Sequence, residues 1–223
     1  MKQLIAIVLV GMCAISESIH ARSEQNSGKL LLENDQLRAV EYVIQAGGKL
    51  SLQSHVPYLF FCVNPFVARL TFKDGRSMPA NFKVDDPRWY ENPIVAVANT
   101  GKSDAKFLII ELKKPAPTNH GGVPADDGTK VAPDVYKLLY ENDRVRVIRV
   151  GSKPGQKTGM HSHPGSAFRY PMTNSKGRLI MPDGTIRELE SKVGEVRWTE
   201  LPTRHIAENI GTTDGHTLLV EIK

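Results

Sequence analysis

The chain repeats itself, because short patterns in its first half recur in the same order in its second half. Leu32–Asp35 and Tyr140–Asp143 both end in Glu-Asn-Asp, and Ile109–Lys113 matches Leu219–Lys223 as two aliphatic residues, Glu, an aliphatic residue and Lys. The offset between the copies is 108 residues at the first match and 110 at the second. Self-similarity of this length predicts two copies of one folding unit.

Both copies carry the signals of short β-strands. Arg144–Val150 and Thr217–Val220 are short, aliphatic or β-branched, and flanked by turn or polar residues. Lys73–Gly75 and Pro182–Gly184 end in Asp-Gly, a pair that supplies the positive φ angles of tight hairpins. No window of helical periodicity rivals these segments. We therefore predict an all-β chain of two tandem antiparallel β-barrels of the jelly-roll type.

The domain boundaries follow from the repeat. We expect an N-terminal barrel over residues 29–113 and a C-terminal barrel over residues 134–223. Residues 114–133 lie between them, are rich in proline and glycine, and lack apolar periodicity, which is typical of a linker.

Residues 1–21 have the layout of a secretory signal peptide. Lys2 precedes an apolar run that is too short to span a bilayer, and the small residue Ala21 closes the segment. A retained anchor or a buried N-terminal helix is the alternative. We expect cleavage before Arg22, a periplasmic or secreted protein, and no stable membrane insertion after cleavage.

The charge distribution and the cysteine count argue against a nucleic-acid-binding protein and against an intramolecular disulfide. The formal net charge of +5 is spread along the chain without a block of Lys and Arg, so no nucleic-acid partner is expected. Cys62 is the single cysteine left after residue 21, and its apolar surroundings predict a buried thiol without a disulfide partner. A small molecule is the expected partner, and a homodimer is an open alternative.

Three histidines in the second half carry the clearest chemical signal. His161 and His163 are two residues apart, so a β-strand would present both imidazoles on one face. His205, on a neighbouring predicted strand, would complete a set of three nitrogen ligands. Three neutral imidazoles suit Fe(II), Zn, Mn, Ni or Cu and leave coordination positions open for water or substrate. The alternative is three ordinary hydrogen-bonded histidines.

The residues around these histidines resemble the two sequence motifs of the cupin superfamily. The first motif appears as G-x5-H-x-H followed by a glycine, and the second ends in H-x3-N. Besides the histidines, the match rests on Gly155, Gly177, Gly194, Pro202 and Asn209. The chain departs from the pattern at Ala167 and Phe168, where cupins usually supply a glutamate, and it lacks the inner glycine of the second motif.

The resemblance implies an exported two-domain cupin that holds a divalent transition metal through His161, His163 and His205, with Fe(II) as the first expectation and Zn, Mn, Ni or Cu as alternatives. Three-histidine cupin centres resemble those of thiol and β-diketone-cleaving dioxygenases, so a small-molecule dioxygenase is the leading activity. A non-catalytic cupin that binds a metal or small ligand is the alternative, and a metal-dependent isomerase or lyase comes third.

Two residues beyond the motifs are candidate catalytic residues. The positive metal centre would favour an anionic, chelating substrate. Arg169 could bind a substrate carboxylate, and Tyr170 could exchange a proton with the substrate. Strand alternation sends these two side chains to opposite faces unless a bulge intervenes.

The first copy retains little of the ligand set. Alignment of the copies places Gln53, His55 and Ala96 against the three histidines, so we expect a degenerate metal site there. Apolar side chains are expected to fill its interior instead, namely Phe60, Phe61 and Phe66.

Overall fold

The computed structural model describes residues 28–53, 56–114, 123–200 and 203–223. The proposed signal peptide, His55, Pro202 and the middle of the proposed linker lie outside these residues. The regular secondary structure of the described part is almost entirely β-strand, with one helix, α1 (Gly128–Val131). This architecture confirms the all-β prediction. Among the described residues, no helix has the length and apolar character needed to cross a membrane.

Among the described residues, each half of the chain contributes nine strands. In the first half these are β1 (Gly28–Glu33), β2 (Leu37–Ile44), β3 (Lys49–Ser51), β4 (Tyr58–Asn64), β5 (Phe66–Phe72), β6 (Ser77–Phe82), β7 (Asp86–Tyr90), β8 (Ile94–Asn99) and β9 (Ala105–Leu112). In the second half they are β10 (Tyr136–Glu141), β11 (Val145–Ser152), β12 (His161–His163), β13 (Ala167–Pro171), β14 (Ser175–Ile180), β15 (Ile186–Ser191), β16 (Arg197–Thr199), β17 (Thr203–Asn209) and β18 (Gly215–Ile222).

The two halves have the same topology. Each has a five-stranded sheet, in the order β1-β2-β9-β4-β7 or β10-β11-β18-β13-β16, and a four-stranded sheet, in the order β3-β8-β5-β6 or β12-β17-β14-β15. Both five-stranded sheets carry an irregularity at the same place, between Leu30 and Leu32 in one and between Leu138 and Tyr140 in the other. The repeat read from the sequence is therefore a repeat of structure, in the form of two tandem jelly rolls.

The predicted Asp-Gly hairpins are present in both halves. Gly75 and Gly184 adopt φ angles of 83° and 84°. Their amides donate to the carbonyls of Phe72 and Met181 at 3.0 and 2.9 Å. Glycine is required at these turns because residues with a side chain rarely adopt a positive φ.

The halves pack against each other through their five-stranded sheets. This inter-half core is wholly apolar apart from the hydroxyl of Tyr170, and its side chains come from six strands. Its buried members are Leu37, Ala39, Leu59, Phe61, Leu108, Ile110, Leu112, Val145, Val147, Phe168, Tyr170, Leu218 and Val220. The five-stranded sheet of each half therefore has one face on this core and the other on the interior of its own jelly roll.

Aromatic rings fill the interior of the first half. The ring centroids of Phe60 lie 4.6 Å from Phe107 and 4.7 Å from Phe82, and Phe66 also stacks on Phe82 at 4.7 Å. The prediction that Phe60 and Phe66 occupy this interior is confirmed. For Phe61 it was wrong, because strand alternation turns that ring to the opposite face of β4 and into the inter-half core.

Cys62 is free and fully buried, as its sequence context predicted. Its thiol donates to the carbonyl of Asn64 at 2.8 Å. Burial raises the pKa of this thiol to about 12, so it stays protonated at neutral pH.

The described end of the segment between the halves is more ordered than a linker pattern suggests. Residues 128–131 form helix α1, and the Asp127 side chain caps it by accepting from the amide of Thr129 at 3.0 Å. Asp127 is only 1 % exposed. The segment is therefore packed against the second half.

Candidate metal centre

Two neighbouring strands bring the three histidines together. Strand β12 pairs antiparallel with β17, and in this register the Cα of His161 lies opposite that of His205. Directly paired residues project to the same face of a sheet, and His163 joins them because it is two residues from His161. One ring nitrogen from each of the three histidines lies within 4.8 Å of the other two. The pairing of His161 and His163 with His205 is the arrangement that the sequence predicted.

The unpartnered ring nitrogens show how these histidines would hold a metal. The Nδ1 of His161 donates to the carbonyl of Gly159 at 2.9 Å, and the Nδ1 of His163 donates to Oε1 of Glu221 at 2.8 Å. Each ring therefore keeps the lone pair on Nε2. These two Nε2 atoms and Nδ1 of His205 are buried, with no hydrogen-bond partner among the described residues. A divalent transition metal fits the two Nε2 atoms together with a ring nitrogen of His205, because it would satisfy buried nitrogens that are costly to leave unpaired.

The histidines are held in the neutral form that binds metals. They are 0 %, 3 % and 2 % exposed in chain order. Burial lowers the pKa of His161, and it lowers the pKa of His163 and His205 to about 3, with the positive charge of Arg169 adding to the effect. All three imidazoles are therefore neutral at neutral pH, and a metal would not have to displace protons from them.

A buried chain of charged groups lies behind His163. Glu221, on β18, accepts from Arg146 Nη1 at 2.7 Å through its second oxygen. Arg146 also donates to both oxygens of Asp127 at 2.9 Å. Burial raises the pKa of Glu221 to about 7, and the charge of Arg146 opposes that rise. The sequence reasoning missed these three residues, although Glu221 stands in one of the repeated segments.

Arg169 lines a cavity beside the histidines. The cavity has a volume of about 110 Å³, and its lining includes Tyr136, Thr158, Arg169 and His205. Within the described part of the chain, Arg169 forms no ion pair, and burial lowers the pKa of its guanidinium. A half-buried cation without an ion-pair partner, next to a candidate metal centre, favours an anionic occupant.

Tyr170 points away from this cavity. Its hydroxyl donates to the carboxylate of Glu41 in the first half, and its ring is fully buried in the inter-half core. Burial raises the pKa of this phenol. No bulge breaks the alternation of β13, so Arg169 and Tyr170 lie on opposite faces. This placement corrects the expectation of a proton-exchanging Tyr170, and we leave it out of the proposed site.

The same alternation separates the two positions where cupins usually supply a glutamate. Phe168 lies in the inter-half core. Ala167 lies on the other face of β13 and packs with Tyr136, whose ring centroid is 4.7 Å from that of His161. The Cα of Ala167 is paired with that of Glu221. The carboxylate nearest the histidines therefore comes from β18 and contacts a ring nitrogen of His163.

The two halves share a hydrogen-bond pattern at the ends of β8 and β17, which allows their residues to be aligned. Asn99 donates to Ile44 O and Ser103 O at 3.0 and 2.8 Å, and Asn209 donates to Ser152 O and Thr213 O at 3.1 and 3.0 Å. Counting back by this offset of 110 residues gives Val95 as the counterpart of His205, next to the Ala96 of the sequence alignment and at a register shift in β8. Neither residue could bind a metal. Among the described residues, the three histidines form the one group of at least three potential ligands.

Comparisons with known proteins show which solved structures share this architecture. No family model and no curated protein matches the chain. Among solved structures, it is similar to oxalate decarboxylase from Bacillus subtilis, with a TM-score of 0.60 and 14 % identity over 84 % of this chain and 68 % of that one. It is also similar to the formate complex of oxalate decarboxylase from Lactobacillus farciminis, with a TM-score of 0.57 and 15 % identity over 84 % of this chain and 77 % of that one.

A third likeness is to a cupin 2 conserved barrel domain protein from Leptotrichia buccalis, with a TM-score of 0.50 and 14 % identity over 88 % of each chain. Identities this low carry information about architecture alone. Together with the two matching jelly rolls and the clustered histidines, they show that this chain has the cupin fold.

Proposed function

We propose that this protein is a metal-dependent cupin that binds a small anionic ligand at the three-histidine centre of its second half, with dioxygenase as the leading candidate activity. One observation carries the proposal. Three buried imidazoles, each with an unpartnered ring nitrogen, lie beside a cavity that is also lined by the half-buried guanidinium of Arg169, which forms no ion pair with a described residue. The imidazole nitrogens support a cation site, and the guanidinium supports an anion site. Together they favour a chelating anion bound next to a metal.

Each part of the site has a distinct task in this proposal. His161, His163 and His205 would hold the metal, which would supply Lewis-acid polarisation and open coordination positions. Arg169 would orient a carboxylate of the ligand through its planar fork. The cavity of about 110 Å³ is small beside the roughly 300–1,000 Å³ of pockets for drug-sized ligands, which favours a small acid.

The neutral ligand set supports Fe(II) as the first candidate metal, with Zn, Mn, Ni or Cu as alternatives.

A non-catalytic cupin that binds a metal or a small ligand is the second candidate function. It is favoured by the absence of a carboxylate ligand at Ala167 and Phe168. Oxygen consumption by Fe(II)-loaded protein with a panel of small carboxylates separates the two: turnover supports a dioxygenase, and saturable binding without turnover supports the binding protein.

Replacing Arg169 with methionine should weaken the binding of small carboxylates by about 10- to 100-fold, because a charge-assisted hydrogen bond contributes about 1.5–3 kcal/mol. Metal content should be unchanged, since Arg169 is not among the clustered ligands. Isothermal titration with oxalate and malonate measures the effect. Arg187→Met removes an exposed arginine from β15 and serves as the matched control. Equal affinity for carboxylates in Arg169→Met and the parent would refute the anion site.

We also propose that the protein acts outside the cytoplasm, in the periplasm or as a secreted protein. The charged start, apolar run and closing Ala21 of residues 1–21 support this proposal. Amino-terminal sequencing of protein from its native source should give a chain beginning near Arg22. An intact Met1 on most molecules would contradict cleavage.

A further inference from the structure

The buried chain behind His163 is continuous and nearly inaccessible to solvent. It runs from His163 Nδ1 through Glu221 and Arg146 to Asp127, with contacts of 2.7 to 2.9 Å. Glu221, Arg146 and Asp127 are 1 %, 2 % and 1 % exposed. Residues of two strands, β11 and β18, and the residue that caps α1 thus form a chain that ends on one ring nitrogen of a candidate metal ligand on β12.

The first half shows which part of this chain belongs to the fold itself. Arg38 and Glu111 occupy the same positions on β2 and β9 as Arg146 and Glu221 occupy on β11 and β18, with matching Cα pairing. Arg38 also contacts Glu111, at 3.3 Å, but these side chains are 39 % and 15 % exposed against 3 % and 2 % in the second half. The strand pairing therefore supplies an Arg–Glu pair in both halves, and only the second half buries it completely.

Burial of this pair is not explained by stability alone. Removing charged groups from water is costly, and buried ion pairs are often no more stabilising than apolar residues of similar size. The partly exposed Arg38–Glu111 pair shows that the same fold forms without burying this ion pair completely. What distinguishes the second pair is its position, with one oxygen of Glu221 on His163 and the other on Arg146.

We propose that Glu221, held by Arg146 and Asp127, is a positioning residue that fixes the ring orientation and tautomer of His163 for metal binding. The inference rests on the proposed function, because it assigns a role to the metal centre. A carboxylate that accepts from the distal nitrogen of a metal-binding histidine aims the other nitrogen at the metal and strengthens it as a donor. In this chain the carboxylate reaches the site from β18, beside the position where Ala167 stands on β13.

Metal affinity of Glu221 variants tests this role. Competition titrations with Zn(II) and Co(II) should give an affinity about 10- to 100-fold below that of the parent for Glu221→Ala. Glu221→Gln is nearly isosteric and keeps an oxygen that can accept from His163, so it should fall between Glu221→Ala and the parent. Glu111→Gln breaks the equivalent pair in the first half, away from the centre, and should leave the affinity unchanged.

Two spectroscopic readouts distinguish positioning from a general loss of stability. The visible absorption of the Co(II) protein should change in both Glu221 variants and stay unchanged in Glu111→Gln. In metal-free protein, ¹⁵N NMR should show His163 protonated at Nδ1 in the parent and a mixture of tautomers in Glu221→Ala. Because this second measurement needs no metal, it reports on Glu221 even if the proposed function fails.

The outcomes separate the two proposals. A parent that binds neither Zn(II) nor Co(II) at one equivalent overturns the proposed function, and the NMR measurement then decides the role of Glu221. If the parent binds metal, and the Glu221 variants keep an affinity within about twofold of the parent's and the same His163 tautomer, the positioning role is overturned. If Glu221→Ala does not fold, Glu221→Gln carries the test through the same measurements.

Discussion

Replacing Phe168 with glutamate should lower the free energy of unfolding by more than about 4 kcal/mol. The Phe168 ring is fully buried in the inter-half core, and the residues around it there are almost entirely apolar. A carboxylate in that core would lose its hydration without gaining a cation or a hydrogen-bond donor. Urea unfolding followed by circular dichroism measures the change. A Phe168→Glu protein within about 1 kcal/mol of the parent would contradict the packing of the two halves.

Ala167→Glu is the matched control, because it adds the same carboxylate on the other face of the same strand. The extra volume should cost about 1–3 kcal/mol. The guanidinium of Arg169, on the same face of β13, offsets part of the cost of burying the carboxylate, so this variant should lose less stability than Phe168→Glu. Its carboxylate would lie on the side of the histidines and should weaken the binding of anionic chelators through charge repulsion, even if metal binding becomes tighter. If Ala167→Glu instead raises metal occupancy and creates an activity that the parent lacks, the parent centre is degenerate, and the binding-protein alternative takes the lead.

Replacing His161 and His205 together with alanine should abolish stoichiometric metal binding. Only His163 would remain of the three clustered ligands, and a single imidazole does not hold a divalent metal against dialysis. Elemental analysis of dialysed protein after metal loading measures the loss. His216→Ala is the control for removing a histidine, since His216 pairs with Asp85 at 3.0 Å outside the cluster.

The first half provides a second comparison for the same experiment. The sequence alignment places His55 against His163. His55→Ala should leave metal binding intact, because Gln53 and the residues near the His205 position, Val95 and Ala96, offer no imidazole or carboxylate ligand. Full metal stoichiometry in the His161→Ala, His205→Ala double variant would contradict the assignment of the centre to the second half.

Much of the fold was predictable because short sequence motifs determine it. The Glu-Asn-Asp and aliphatic-Glu-Lys repeats mark equivalent turns and strands, and the two halves have identical strand orders. The spacing of His161 and His163 was equally informative, because side chains two residues apart share a face of any strand. The convergence of His205 required only that its strand be a neighbour of β12, as the resemblance to cupins implied.

Other features depend on contacts that no local pattern encodes. His163 and Glu221 are 58 residues apart in sequence, and their contact depends on how β13 and β18 are paired. The faces of β13 were ambiguous because both are buried, one on the interior of the second half and one on the inter-half core. A strand buried on both sides lacks the polar alternation that would have separated Ala167 from Phe168.

The metal content of protein isolated from its native compartment tests the central claim most directly. The three unpartnered imidazole nitrogens predict about one equivalent of a divalent transition metal per chain, retained through dialysis. Elemental analysis gives both the amount and the identity of the metal in one measurement. Native protein that contains no stoichiometric transition metal, and that takes up none when Fe(II), Mn(II) or Zn(II) is added, would contradict the claim.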